Sequence, residues 1–337
     1  MTSPHPRSHA QGSPGPTADD VDPRVVAIVL NWNGGEETLE CLQSLQATDA
    51  PRPRVLLVDN GSVDGSVEPL EAAWPGLTVL RLGENLGYAG GNNRAMRHAF
   101  GEMGAEWICL LNSDLVAPPD LFTELMGAVE TLQAQTDQPL GALGPRVYYR
   151  DDPEVVWANG GRIAATANVT RLVDHGRRHP PGGEPEHPEP RDYVPGTCVL
   201  VSRAAWEVVG ELDEEYFCYL EDADWCLRMR AKGFGVFVVP GATAYHALSS
   251  STGGGYSAGR KYMTAVNSVH FLRKHGTWRG WAALFFYDVL LWPLVLARAL
   301  LSGHTRAAVA KIQGVIDGLR GEHVDAAVAA RYARRPS

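Results

Sequence analysis

Short apolar runs alternate with amphipathic stretches through the first part of the chain. The run VVAIVLN (25–31) is rich in β-branched residues and stops at the turn-forming NWNGG, which predicts a buried strand. EETLECLQSL (36–45) spaces its apolar residues as one face of a helix does. RVLLVDNGS (54–62) reads as a second buried strand with a polar end, and LTVLRL (77–82) and AEWICLLNSDL (105–115) repeat the pattern with helical segments between them. Strands alternating with helices over roughly the first 130 residues predict an α/β fold with a mostly parallel, doubly wound sheet. Ligands of such sheets bind beyond the carboxyl ends of the strands, so the polar strand ends are the candidates for chemistry.

The pattern changes elsewhere. Residues 1–23 are rich in Pro, Ser, Gly and His and lack the apolar core of a signal peptide; they read as a disordered leader on a cytoplasmic protein. GRRHPPGGEPEHPEPR (176–191) is too rich in proline, glycine and alternating charge for a regular element, and SSSTGGGYSAGR (249–260) reads either as a glycine-hinged lid over donor and metal or as a plain flexible linker. WAALFFYDVLLWPLVLARALL (281–301) is long enough to cross a hydrocarbon layer but is interrupted by Asp288, Pro293 and Arg298. An interfacial helix flanked by Trp278, Trp281 and Arg279, touching the inner face of the membrane peripherally, is one reading; a homodimer interface or a helix closing the core is the other. A further helix, TRAAVAKIQGVIDGLRG (305–321), follows. The organisation expected is a leader (1–23), a catalytic domain (24–275, divided at 135/136 into nucleotide-binding and acceptor halves) and a C-terminal helical region (276–337).

Composition narrows the partners. A formal net charge of −9 argues against general nucleic-acid binding. Five cysteines without CxxC spacing indicate neither a disulfide framework nor a thiolate zinc site.

The rim of the expected sheet carries NWN (31–33), DNGSVDGS (59–66), NLGYAGGNN (85–93) and NSD (112–114). Asp59 suits hydrogen bonds from a base or ribose; Gly87, Gly90 and Gly91 suit either close approach of phosphate at a helix start or ordinary turn chemistry. Neither GxGxxG after the first strand nor GxxxxGK[ST] is present, so a nucleotide is held in another way. In LLNSDL an apolar strand delivers Asp114 to solvent, where a hard divalent cation could use it, unless it only caps the next helix. YLEDADWCLRMRAKGF (219–234) crowds Glu221, Asp222 and Asp224 among apolar residues, an arrangement that raises carboxylate pKa values and tunes a base, or alternatively an acidic first helical turn with Asp224 paired to Arg228.

In this order, the opening strand, VDNGSxDGS, NxGxAxGxN and an xxD version of a DXD motif resemble glycosyltransferase family 2 on a GT-A fold, from about Val25 to His275; NLGYAGGNN and LLNSD are most similar to its rhamnosyltransferase branch. PGTCVLVSRAAW…YLEDADWCLRMR…FVVPGATAYH resembles the acceptor-side block. The resemblance implies a GT-A type, Rossmann-like mostly parallel sheet flanked by helices with a C-terminal helical extension. It implies donor contacts by Asn31, Trp32, Asn33, Asp59, Asn85, Gly87, Gly90, Asn92, Asn112 and Ser113, with Asp59 on the nucleobase. Asp114 and His246 would hold Mg²⁺ or Mn²⁺, Asp222 would be the general base, and Glu221 and Trp225 would lie on the acceptor side. The implied reaction is inverting transfer from a dTDP- or UDP-linked sugar, rhamnose foremost, to a glycan, lipid-linked or small-molecule acceptor. A nucleotidyltransferase is the enzymatic alternative, although NWNGGEE lacks the basic loop that grips a triphosphate; a catalytically silent sugar-binding relative is the other. Val266 stands where related enzymes often carry Arg, which leaves Arg260, Lys261 or Arg273 as replacements for a diphosphate contact.

Overall fold

The computed structural model describes residues 20–165, 169–181, 187–247 and 257–332. The apolar runs form the middle of one sheet. β1 (Val21–Asn31), β2 (Arg52–Asp59), β3 (Thr78–Arg81) and β4 (Trp107–Asn112) are parallel in the order β3-β2-β1-β4, connected through α1 (Gly35–Gln46), α2 (Val67–Ala73) and α3 (Gly87–Gly101). In β1, Val25, Ala27 and Val29 belong to one apolar cluster and Val26 and Ile28 to another, so an unbroken apolar run is what this doubly covered strand requires. The register sets Asn31 beside Asp59, Asp59 beside Arg81 and Leu30 beside Asn112, which gathers the polar strand ends on one rim.

The second half continues the same sheet. Its elements are β5 (Leu115–Val116), α4 (Leu121–Gln135), β6 (Leu140–Tyr149), β7 (Val156–Ala158), β8 (Gly161–Ile163), β9 (Thr170–Leu172), β10 (Glu189–Pro190), β11 (Cys198–Ser202), α5 (Arg203–Val209), α6 (Glu221–Ala231) and β12 (Gly235–His246). The strand order runs on as β4-β11-β6-β12-β10. β11 is antiparallel to both β4 and β6, whereas β12 is parallel to β6. Reversal of β11 has a functional consequence: its first residue, Cys198, lies beside Leu111 at the end of β4, and the Asn112 N–H donates to the Thr197 carbonyl at 3.0 Å. The loop before β11 therefore sits at the rim where β4 ends.

Beyond the sheet are α7 (Ala258–His275), α8 (Trp278–Leu284), a π-helical segment (Phe285–Leu290), α9 (Trp292–Ser302), α10 (Thr305–Arg320) and α11 (Ala326–Tyr332). α10 lies on α7 at Gly314 and Gly318, where a Cβ would strike the Tyr262 and Val266 carbonyls. The apolar stretch 281–301 is not one helix: Trp278–Leu290 and Trp292–Ser302 meet at 49°, and among the described residues no single helix is long and apolar enough to cross a membrane.

Two irregular stretches differ from expectation. Residues 21–23 of the expected leader belong to β1, and residues 1–19 lie outside the described residues. In 176–191, Glu189 and Pro190 pair with β12 as a short edge strand, because Pro190 can occupy an edge without losing a ladder bond; 182–186 are not described. The expected lid at 249–260 falls outside the described residues up to 256, and Ser257 caps α7 by accepting from the Arg260 N–H.

Candidate active site

On the donor side, several of the predicted residues use their side chains to hold the loops. Asn31 is buried; its Oδ1 accepts from Thr38 Oγ1 at 2.8 Å and its Nδ2 donates to Ser62 Oγ and Ser66 Oγ at 3.1 and 3.2 Å. Asp59 Oδ1 accepts from the Ser62 N–H at 2.9 Å and closes the DNGS turn. Asn33, at φ 54°, is exposed beside the half-buried Trp32 and accepts from the Val63 N–H. Asn85 Oδ1 accepts from Asn60 Nδ2 and from the Gly87 N–H, at 3.0 and 2.9 Å. Gly87 has φ +73°, and a Cβ there would lie 2.5 Å from the Phe217 carbonyl oxygen; one on Gly90 would lie 2.9 Å from Leu86 Cβ. The close approach at these glycines is thus between segments of the chain. Asn92 is buried and donates to the Tyr88 carbonyl at 2.9 Å. Asn112 and Ser113 are half-buried at the end of β4.

Asp114 and His246 come together although 132 positions separate them in the sequence. The end of β12 pairs with β5, setting His246 beside Leu115, and the Ala247 N–H donates to the Asp114 carbonyl at 3.1 Å. His246 Nε2 lies 3.1 Å from Asp114 Oδ1, with each side chain 7% exposed. The two are not aligned as a hydrogen bond, and both ring nitrogens of His246 are buried without a hydrogen-bond partner. Trp157 packs on the imidazole, with ring centroids 4.7 Å apart. Such orphaned nitrogens are costly unless something else uses them. A divalent cation fits: two adjacent ligands of an octahedral ion with bonds of about 2.1 Å lie about 3 Å apart. Asp114 does not cap α4, whose N-cap position is Asp120.

The three acids of 221–224 separate into three environments. Asp224 is 0% exposed and bound by Arg228, Lys274 and His275; burial works to raise its pKa, but these three partners together hold it below the ordinary value. Glu221 is buried, its Oε2 has no partner, and desolvation, reinforced by the neighbouring Asp222, pushes its pKa well up. Asp222 alone is partly exposed. Its Oδ2 accepts from the Gly196 N–H at 2.9 Å and its Oδ1 from the Ala223 N–H at 2.7 Å; burial raises its pKa against the pull of those N–H groups. The predicted pairing of Asp224 with Arg228 and the predicted raised carboxylate pKa values are therefore both present, on different residues. Trp225 is a correction: its ring is buried in the core and its Nε1 donates to the Gly210 carbonyl at 2.8 Å, so it does not face a cleft.

Residues that the sequence reading missed join these parts. The Tyr88 hydroxyl on α3 donates to the Gly196 carbonyl at 2.5 Å, while Gly196 holds Asp222 and the adjacent Thr197 carbonyl holds Asn112. Asp222 is thereby tied to the strand end that leads into Asp114. The chain enters α6 through Phe217, Tyr219 and Leu220, at φ 59°, 78° and 75°, a conformation unfavourable for residues with a Cβ. Asn267 on α7, fully buried, sends Nδ2 towards the carbonyls of Tyr216, Cys218 and Tyr219 at 2.9, 2.8 and 2.9 Å and clamps this turn. Among the basic candidates, Arg260 lies over the Tyr219 ring at 5.5 Å, next to the turn. Arg273 donates to the Leu319 carbonyl, and Lys261 lies near Asp288 and Lys311, with its pKa lowered by burial. Val266 is buried in the apolar cluster of Phe217, Tyr262, Met263, Ala310 and Val324, between α7 and α10.

The family model for Glycosyl transferase family 2 matches residues 26–171. An N-acetylglucosaminyl-diphospho-decaprenol L-rhamnosyltransferase of Mycobacterium tuberculosis is 30% identical over 251 residues, covering 67% of this chain and 76% of the relative. A dTDP-rhamnosyl transferase of Shigella flexneri is 23% identical over 258 residues, covering 74% and 80%. Among solved structures, the mannosyltransferase PcManGT from Pyrobaculum calidifontis, in complex with GDP-Man and Mn²⁺, shares the fold with a TM-score of 0.52 at 19% identity over 91% of each chain.

Proposed function

The chain belongs to glycosyl transferase family 2 and is a glycosyltransferase, and from that premise we propose that it transfers rhamnose, with inversion, from dTDP-rhamnose to a hydroxyl of a lipid-linked glycan precursor at a membrane surface. The observation that carries the reading is the Asp114–His246 pair, with its orphaned ring nitrogens, on the rim to which Asp222 is tied. Asp114 and His246 would hold Mg²⁺ or Mn²⁺, which when bound supplies electrostatic stabilisation of the departing diphosphate. Asp222 Oδ takes the proton of the acceptor hydroxyl as its oxygen bonds to the anomeric carbon and the bond to the nucleoside diphosphate breaks. Asp224 is sequestered by Arg228, Lys274 and His275 and Glu221 is buried, so α6 offers one accessible base and no separate nucleophile. Single displacement, hence inversion, follows.

Rhamnose is supported by the names of the two relatives. The lipid-linked acceptor is supported by the decaprenol in one of those names and by the bent helix pair. Trp278 is 75% and Leu301 92% exposed, with Phe285, Leu290 and Leu294 also exposed. Arg279, Arg298 and Arg306 are exposed near them. The acid in this stretch, Asp288, is turned inward and paired with Lys311, which keeps the apolar face free of negative charge.

The test is calorimetry and nucleotide release with a panel of nucleotide sugars in Mg²⁺ or Mn²⁺, followed by transfer to a polyprenyl-diphosphate sugar. Preference for dTDP-rhamnose supports the donor; binding of a nucleoside triphosphate with pyrophosphate release, as in a nucleotidyltransferase, overturns the reading. Flotation with vesicles containing anionic lipid tests the membrane face; a protein that stays off vesicles but dimerises through 278–302 would give that face to a second copy.

A further inference from the structure

Outside the residues assigned above to donor, metal or base, Glu215, His270 and His323 bring ligand atoms within 4.8 Å of one another. Glu215 lies in the turn of 3₁₀ helix Glu214–Tyr216 that precedes the strained entry to α6, His270 lies on α7, and His323 lies between α10 and α11. We propose that these three side chains form a structural site for a zinc-class divalent cation, which fastens the C-terminal helices to the acceptor half.

The argument is one of convergence. His270 Nε2 is 3.2 Å from Asp213 Oδ2 and 3.4 Å from Glu215 Oε2, and His323 Nδ1 is 3.8 Å from the same Glu215 oxygen. One imidazole N–H satisfies one of two carboxylates aimed at it; a cation in place of that proton satisfies both. Tetrahedral zinc, with bonds of about 2.0–2.1 Å, sets its ligand atoms about 3.3–3.5 Å apart, so the His270–Glu215 separation of 3.4 Å already matches, and His323, 3.8 Å from Glu215, closes onto the ion by moving inward. The His270 ring is held edge-on by Tyr216 (centroids 4.7 Å) and meets the His323 ring at 5.2 Å. Two imidazoles and a carboxylate suit zinc rather than Mg²⁺, which prefers oxygen ligands. Asp213 is the fourth candidate ligand; Lys274, 2.7 Å from its Oδ2, fixes it in place and weakens the site by its charge.

The experiment uses the full chain carrying Asp114→Ala, so that the donor-side pair does not contribute, after chelator treatment. Zinc alone is titrated by calorimetry and thermal melting, and Co²⁺ by visible absorption. The expected result is one tight equivalent of zinc with a raised melting temperature and a tetrahedral Co²⁺ spectrum, the affinity falling about tenfold or more in His323→Ala and again in Glu215→Gln. His323 and Glu215 are exposed, so both variants should fold. Zinc affinity unchanged in both variants would overturn the proposal. So would a melting temperature that falls equally with and without zinc in His323→Ala, which would identify an ion pair.

Discussion

The Gly196 N–H donates to Asp222 Oδ2 at 2.9 Å, holding the partly exposed carboxylate of α6 against the loop that precedes β11. Because Gly196 also accepts from the Tyr88 hydroxyl, Asp222 is fixed relative to α3, the helix that carries Gly87 and Gly90. Asp222→Asn can still accept from the Gly196 N–H through its amide oxygen, loses the second acceptor that faces the Ala223 N–H, and removes the proton acceptor. A loss of about 10²- to 10⁴-fold in kcat, with donor binding close to unchanged in calorimetry, is expected. Since burial raises the Asp222 pKa and the base must be ionised, activity should fall as pH drops, with a midpoint above the ordinary aspartate range. A kcat/KM profile that stays flat through that range would remove Asp222 from the role.

Asp114→Asn and His246→Ala each break the pair that could hold a cation. Catalysis should fall about 10²-fold or more in each. Asp114 is the one carboxylate of the pair, so the cation alone should bind weakly and gain affinity when a nucleoside diphosphate is added; calorimetry with and without dTDP measures the difference. Equal activity of the untreated and chelator-treated enzyme would rule the pair out as a metal site.

Asn267→Ala leaves the carbonyls of Tyr216, Cys218 and Tyr219 without their common donor. A stability loss of about 1–3 kcal/mol in denaturant titration is expected, together with a lower kcat, because the turn that enters α6 has three residues in the left-handed region. Full activity in this variant would show that the turn holds its shape unaided.

Glu221 gives a pH-dependent stability term whose sign is fixed. Its folded-state pKa is raised, so the folded chain holds this proton in a range where the unfolded chain has released it, and stability falls as pH rises from the ordinary glutamate value through the raised one. Glu221→Gln keeps a neutral group of the same shape. Its melting temperature should decline less with rising pH over that window than that of the parent chain; identical slopes would count against a buried, protonated Glu221.

Much of this was readable in the sequence where local pattern decides. β1, β2 and β4 are apolar without alternation because both faces are covered, and the turn residues at their ends mark the rim. Asp114 was visible as an acid at the end of such a strand. The division of labour among Glu221, Asp222 and Asp224 was not, because the partners that lock Asp224 include Lys274 and His275, and His275 lies 51 positions away. Gly87 could serve a phosphate or a tight packing contact; the deciding neighbour, Phe217, is set by tertiary structure. Tyr88, Gly196 and Asn267 carry no local signal beyond a glycine before a strand and a polar residue on an apolar helix face.

The reversed strand β11 lies between β4 and β6, hydrogen-bonded to both. The run β3-β2-β1-β4, before residue 135, and the run β11-β6-β12-β10, after it, consequently meet along one seam, β4 against β11. A chimaera joined near residue 135 would ask one parent's β11 to knit into the other parent's β4, and would displace the Gly196 and Thr197 loop on which Asp222 and Asn112 rely. Specificity in this architecture is open to change by loop substitutions along the rim and resistant to the exchange of halves.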